Sequence, residues 1–273
     1  MSLLKTLGNN LSIVITSGKG GVGKTTTTAN IGTGLALQGK KVCLVDLDIG
    51  LRNLDVILGL ENRIIYDIVD VAKGRAKLTQ ALVRDKRFED NLYLLPASQN
   101  FDKDYLTPEE TLNIVNELKT NFDFVILDCP AGIERGFQNA IIGADVAIVI
   151  ATPEISAVSD ADRVIGILEQ KKMLIPPQLI INLIRKHMVK NGSMMDIDDI
   201  TRHLSIPLLG IIFDDDEVIT NSNKGIPVIM NPNYLSSKCY RNIVRRILGD
   251  SIPLMTLEDQ KISFWKKLFH RKK

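Results

Sequence analysis

Apolar positions along this chain fall into short β-branched runs separated by longer stretches of helical spacing. Ile13-Val14-Ile15, Val42-Cys43-Leu44-Val45, Phe124-Val125-Ile126-Leu127, Val146-Ala147-Ile148-Val149-Ile150, Leu179-Ile180-Ile181 and Leu208 to Phe213 have strand length and no polar face. That is the pattern of parallel strands covered on both sides. Between them, spacing of three and four predicts helices through Ile31 and Leu35, near Ser156 to Leu168, Asp196 to Leu204 and Asn233 to Leu248. Gly39 reads as the stop of the first helix. Thr107-Pro108-Glu109-Glu110 opens another, running to about Lys119, with Thr107 as cap, Pro108 at the first helical position and Glu110 completing a capping box. The alternation predicts an α/β fold: one doubly wound, mainly parallel sheet flanked by helices.

Composition narrows the class. At 273 residues, with 45% hydrophobic and 24% charged positions, the chain suits one large soluble domain. Its boundaries are expected at 1–250, followed by a flexible linker over 251–261, where Pro253 interrupts and the composition turns polar, and a tail over 262–273. A net charge of +2 does not by itself suggest a nucleic-acid binder. Cys43, Cys129 and Cys239 are odd in number and widely spaced, which fits buried thiols in a reducing compartment better than disulfides or a metal site. Residues 1–10 lack the character of a secretion or transit signal, and no apolar stretch reaches the roughly 18 residues of a membrane span.

One stretch carries most of the chemistry. Gly18-Lys19-Gly20-Gly21-Val22-Gly23-Lys24-Thr25 fits the phosphate-cradling pattern G-x-x-x-x-G-K-[ST], and it stands between a strand and a helix as that pattern requires. Its backbone N–H groups would converge on phosphate oxygens, supported by the positive end of the following helix. Lys24 would then meet the β- and γ-phosphates and the Thr25 hydroxyl Mg²⁺, with Thr26 beside them. Asp46 and Asp48 end the second strand, where open α/β sheets bind ligands. Taken alone they are also compatible with a turn or a helix cap. Asp128 closes the strand Phe124–Leu127, the usual position of an outer partner of Mg²⁺, and Cys129-Pro130-Ala131-Gly132 makes a bendable segment after it.

The tail has a different chemistry. On a helix advancing about 100° per residue, Ile262, Phe264, Trp265, Leu268 and Phe269 share one arc, while Lys266, Lys267 and His270 point away. That is the pattern of a helix lying in an anionic membrane surface, although a helix docked on the protein's own core shares its apolar face. So short a helix is marginal in water, and one tail alone should bind weakly. Two tails joined in a dimer gain effective concentration, about 10²–10⁴-fold in affinity.

The second loop lysine, Lys19, makes the sequence resemble the ParA/MinD deviant Walker A P-loop ATPases, and the likeness extends to the septum site-determining branch of that family. Asp46 to Asp55, Leu95 to Gln99, Asp128 to Glu134, Pro153-Glu154, Ser159 to Arg163 and the basic tail all carry it. The resemblance implies a slow, partner-stimulated ATPase that uses ATP and Mg²⁺, forms an ATP-dependent homodimer and cycles on and off an anionic membrane. It implies a MinC-like inhibitor and a MinE-like stimulator as partners. It places the protein on the cytoplasmic face of a bacterial inner membrane, or in a plastid. By position it implies Lys19 and Lys24 as catalytic cations, Lys19 acting in trans, and Asp48 as the residue orienting water. It also implies Thr25, Asp46 and Asp128 around the metal, and Asn182 at the adenine. Leu183 stands where many relatives carry arginine, and Phe213 where a proline is common. Three rivals are a DNA-binding partitioning ATPase, an iron–sulfur reductase, for which Cys129 lacks a companion, and an ATP-binding scaffold without turnover.

Overall fold

The structure is a computed structural model and describes residues 10–99, 106–133 and 135–259. Strands and helices alternate as the hydrophobic pattern predicts. In chain order they are β1 (Leu11–Thr16), α1 (Lys24–Leu37), β2 (Val42–Asp46), α2 (Leu54–Leu58), α3 (Ile68–Ala72), α4 (Leu78–Ala81), β3 (Val83–Arg84) and β4 (Leu92–Leu95). There follow α5 (Pro108–Lys119), β5 (Phe124–Asp128), α6 (Arg135–Ile142), β6 (Val146–Ala151), α7 (Ile155–Glu169), β7 (Gln178–Ile184), α8 (Lys186–Lys190), α9 (Ile197–Leu204), β8 (Leu208–Phe213), α10 (Asp216–Ser222) and α11 (Leu235–Ile247).

The strands form one sheet in the order β3-β4-β2-β5-β1-β6-β7-β8, parallel except at the β3 edge. Strands β1, β2, β5 and β6 are buried at every position, as continuous apolar runs between two helical layers must be. Right-handed crossovers put α1 on one face, where α11 packs beside it; α5 with α6, and α7 with α9, pack as pairs on the other. The order reverses around β1, so the carboxyl ends of β1, β2 and β5 open onto a crevice at the switch point.

Local signals behave as their chemistry requires. The Thr107 hydroxyl accepts from Glu110 N at 3.2 Å, and Thr107 N donates to Glu110 Oε2 at 2.8 Å, closing the capping box. Helix α1 differs from a simple amphipathic helix: every residue from Thr27 to Ala36 is buried. Gly32 and Gly34 make this possible. A Cβ on Gly32 would lie 2.2 Å from Leu44 of β2, and one on Gly34 would lie 2.5 Å from Ile229 and 2.6 Å from Val244 of α11. Two small residues therefore bring the helix close to the sheet on one side and to its neighbour on the other.

The short elements α2, α3, α4, β3, β4, α6, α8 and α10 exceed what the pattern alone predicts. They are two to eight residues long, too short for a helical or alternating period to show. All three cysteines are free and buried. Burial pushes the Cys129 and Cys239 thiols up to about 12 and Cys43 further in the same direction, so they are unreactive packing groups.

Residues 251–259, within the stretch 251–261 expected as a flexible linker, run along α11. Arg246 Nε donates to Ile252 O at 3.1 Å, Met255 Sδ lies 3.6 Å from Cys239 Sγ, and Met255 and Leu257 pack against the core. The tail residues Ile262, Phe264, Trp265, Leu268 and Phe269 lie outside the described residues.

Candidate active site

The loop between β1 and α1 is shaped by its neighbours. Gly23, at φ 91°, caps α1 in the left-handed region, and a Cβ there would come within 2.4 Å of the Asn182 amide nitrogen. Gly18 is a packing glycine, since a Cβ on it would meet the Asp160 backbone carbonyl oxygen of α7 at 2.2 Å. Thus the loop is wedged between β7 and α7, and its shape is set before any ligand arrives. Gly20, Gly21 and Val22 form the turn between these fixed points, with Gly20 next to Ala131 of the segment after β5.

Lysines dominate the electrostatics. Lys24 is only 8% exposed, and its Nζ donates to Ser17 Oγ at 3.0 Å. Ser17 Oγ in turn donates to the Lys19 carbonyl at 2.7 Å, so the loop closes on its own ammonium. Lys19 extends the other way. Its Nζ pairs with Glu154 Oε2 at 2.9 Å and donates to Ser156 Oγ at 3.2 Å, at the start of α7.

Asp46 and Asp128 are register partners on β2 and β5 and are both 1% exposed. Asp46 accepts from Asp48 N at 3.0 Å and Leu54 N at 3.3 Å. Asp128 Oδ1 accepts from Thr28 Oγ1 at 3.0 Å, and the Thr25 hydroxyl also bonds this carboxylate. Burial drives both carboxyls well above the ordinary carboxylate range, and the Asp128 charge adds to the rise at Asp46. Asp48 is half-buried at the mouth of the crevice. The loop that carries it is pinned by Arg52 Nε on buried Asp55 Oδ2 at 2.7 Å.

Two buried carboxylates beside a threonine hydroxyl suit a hard divalent cation, whose charge would offset a repulsion that protons otherwise relieve. Among the described residues no group of three His, Cys, Asp or Glu side chains is placed to hold a metal. Mg²⁺ keeps several waters and takes phosphate oxygens as ligands, so it needs few side-chain donors.

Asn182, expected at an adenine, lies on β7 beneath the loop. It is 3% exposed, and its Nδ2 donates to the Val22 carbonyl at 2.8 Å, so its amide props the loop from below. The next residue, Leu183, has φ 56°, and the β7–β8 register shifts between Ile181 and Ile184. Phe213 is buried in the core at 1% exposure, level with Ile184.

Residues 11–181 match a family model described as an AAA domain. Over 249 residues, 91% of this chain and 93% of the relative, the sequence is 66% identical to the septum site-determining protein MinD of Bacillus subtilis (strain 168). The chain belongs to the MinD family. A solved MinC:MinD cell division protein complex from Aquifex aeolicus contains a chain 48% identical to this one, with a TM-score of 0.82 over 90% of this chain and 98% of that one. A MinD-family protein of Pyrococcus horikoshii OT3, solved complexed with Mg-ADP, is 28% identical with a TM-score of 0.80, covering 88% of this chain and 96% of that one. The MinD-family likeness therefore spans the whole sheet and the loop.

Sequence reasoning singled out the loop and its aspartates but missed Ser17, Arg52–Asp55 as an ion pair, and the Glu154 and Ser156 partners of Lys19. Glu154 lies 135 positions from Lys19, and no spacing rule links them. An acid just before a predicted helix start is the only local hint.

Proposed function

We propose that this chain is a septum-positioning ATPase that dimerises on ATP, recruits a MinC-like inhibitor and is released from the membrane by hydrolysis. The observation that carries the reading is the buried Lys24 inside the P-loop, close enough to Asp128 to lower its pKa, in a chain 66% identical to a MinD. The Aquifex MinC:MinD complex supports the inhibitor as partner, and the Mg-ADP complex of the Pyrococcus protein supports the cofactors.

In this reading the N–H groups of Gly20 to Gly23 and the Lys24 ammonium hold the β- and γ-phosphates, while Gly18 fixes the loop on α7. Thr25 would give its hydroxyl to Mg²⁺, with Asp46 and Asp128 behind it and Thr26 beside them. Bound Mg²⁺ would supply charge neutralisation on the phosphate oxygens. Asp48 orients the attacking water from the mouth of the crevice. Lys19 leaves Glu154 and reaches the partner subunit's nucleotide, where it offsets charge developing in the transition state, as an arginine finger does. Asn182 then serves the base edge and the loop together. A MinE-like partner stimulates hydrolysis, and the basic amphipathic tail provides the lipid contact.

Cosedimentation with vesicles containing phosphatidylglycerol tests the whole chain of coupling. Vesicle binding should be at least tenfold stronger with ATP than with ADP, and Lys24→Ala should bind no nucleotide and stay in the supernatant. Equal sedimentation with both nucleotides, or tight ATP retention by Lys24→Ala, removes the basis of the proposal. Phosphate release measured with vesicles present distinguishes turnover from a scaffold that merely binds ATP.

A further inference from the structure

Ser17 stands where β1 runs into the phosphate loop, and it is fully buried. Its hydroxyl has one proton and two lone pairs, and both capacities are used. The proton goes to the Lys19 carbonyl at 2.7 Å, and the Lys24 ammonium donates to the oxygen at 3.0 Å. A hydroxyl committed in this way cannot turn, so its lone pair is fixed on Lys24. The ammonium carries three protons, and Ser17 takes one of them. Among the described residues Lys24 Nζ has no second hydrogen-bond partner. Two protons are therefore left for a ligand, and the bond to the third sets their direction.

We propose that Ser17 is a positioning residue of the nucleotide site, its hydroxyl aiming the Lys24 ammonium at the phosphates while it anchors the backbone of Lys19. This inference rests on the reading of Lys24 as the phosphate-binding lysine. A lysine is a point charge on a flexible four-carbon stem, so it needs something to hold its end. A carboxylate competes for it: Asp128 is buried and close enough to feel the Lys24 charge. An ammonium released by Ser17 would turn toward that carboxylate, and both groups would be occupied with each other. A neutral acceptor instead holds the lysine without cancelling its charge, which then meets the phosphates undiminished. The same hydroxyl ties down the Lys19 carbonyl, so the backbone of that residue stays fixed while its exposed side chain is free to leave Glu154. Both lysines of the motif thus depend on one buried oxygen.

Equilibrium binding of a fluorescent ATP analogue and steady-state phosphate release test this, with Ser12 as the internal comparison. Ser12 is also fully buried on β1, and its hydroxyl bonds the Gly143 carbonyl at 2.6 Å, at the end of the strand away from the loop. Ser17→Ala should weaken nucleotide binding about tenfold or more, the scale of one hydrogen bond to a charged group. It should also lower turnover at saturating ATP by about as much, which a change in binding alone would not produce. Ser17→Thr, which keeps the hydroxyl, should stay within about threefold of wild type in both. Ser12→Ala should lower the melting temperature at least as far as Ser17→Ala does and leave nucleotide affinity unchanged. The proposal fails if Ser17→Ala binds within about twofold of wild type, if Ser17→Thr is as weak as Ser17→Ala, or if Ser12→Ala weakens binding as much. If the wild type itself binds no ATP, the ATPase reading fails first and takes this one with it.

Discussion

At the scale of single residues, the site stores its charge in two opposed arrangements. Lys19 is held on Glu154 by a pair that is 41% and 53% exposed, so it contributes little to stability, about 0–1 kcal/mol at most. Its consequence is competitive, since a lysine held in its own subunit is absent from the other. Glu154→Gln should leave the melting temperature within 1–2 °C of wild type yet raise ATP-dependent dimerisation several-fold by analytical ultracentrifugation. An unchanged dimer constant would mean the pair does not compete. The carboxylates give a pH signature. Asp46 and Asp128 have folded pKa values raised above the unfolded carboxylate value, so the native state holds protons that the unfolded state has lost. Their contribution is present at low pH and is lost as pH rises from the ordinary carboxylate range toward and through neutrality. Nucleotide-free protein should therefore lose stability across that window, and Asp46→Asn should flatten the loss in a thermal melt series from pH 5 to 8.5. Mg²⁺-nucleotide should flatten it too, with release of protons measurable in weak buffers.

At the scale of elements, two glycines in helices make opposite predictions. Gly34 of α1 has Ile229 and Val244 where a methyl would go, and both neighbours are themselves buried. Overpacking of this kind costs about 1–3 kcal/mol, which exceeds the roughly 1 kcal/mol gained by replacing a helical glycine with alanine. Gly34→Ala should then lower stability by about 1–2 kcal/mol in a urea titration. Gly166 of α7 has nothing within 4 Å of an added Cβ, so Gly166→Ala should raise stability by about 0.5–1 kcal/mol. If both shift alike, packing between α1 and α11 is looser than these distances imply. Because α1 begins at Lys24, a strained α1 should also weaken nucleotide binding, whereas the Gly166 variant should not.

At the scale of the molecule, a rigid sheet presents a preformed nucleotide loop at one end, while the strap along α11 carries the chain toward its tail. Phe264→Asp places a charge on the tail's apolar arc and should abolish vesicle sedimentation while sparing the ATP-dependent dimer. If that variant still sediments like wild type, the lipid contact lies elsewhere. Asp48→Ala should dimerise and remain on vesicles with turnover reduced at least 100-fold, as expected if this half-buried carboxylate orients the attacking water.

The sequence by itself determined the alternation of strands and helices, the caps, and the loop that cradles phosphate. These rest on period, turn chemistry and a local run of N–H groups, all contained within a few consecutive residues. Folding alone decided what those parts touch. Asp46 meets Asp128 only because β2 and β5 are sheet neighbours, Lys19 meets Glu154 across 135 positions, and Asn182 lies under Val22 across 160. The short elements escaped prediction for the same reason: their conformations are set by surfaces supplied from distant parts of the chain. Periodicity reports which way a side chain faces, but its partner exists only once the sheet has closed.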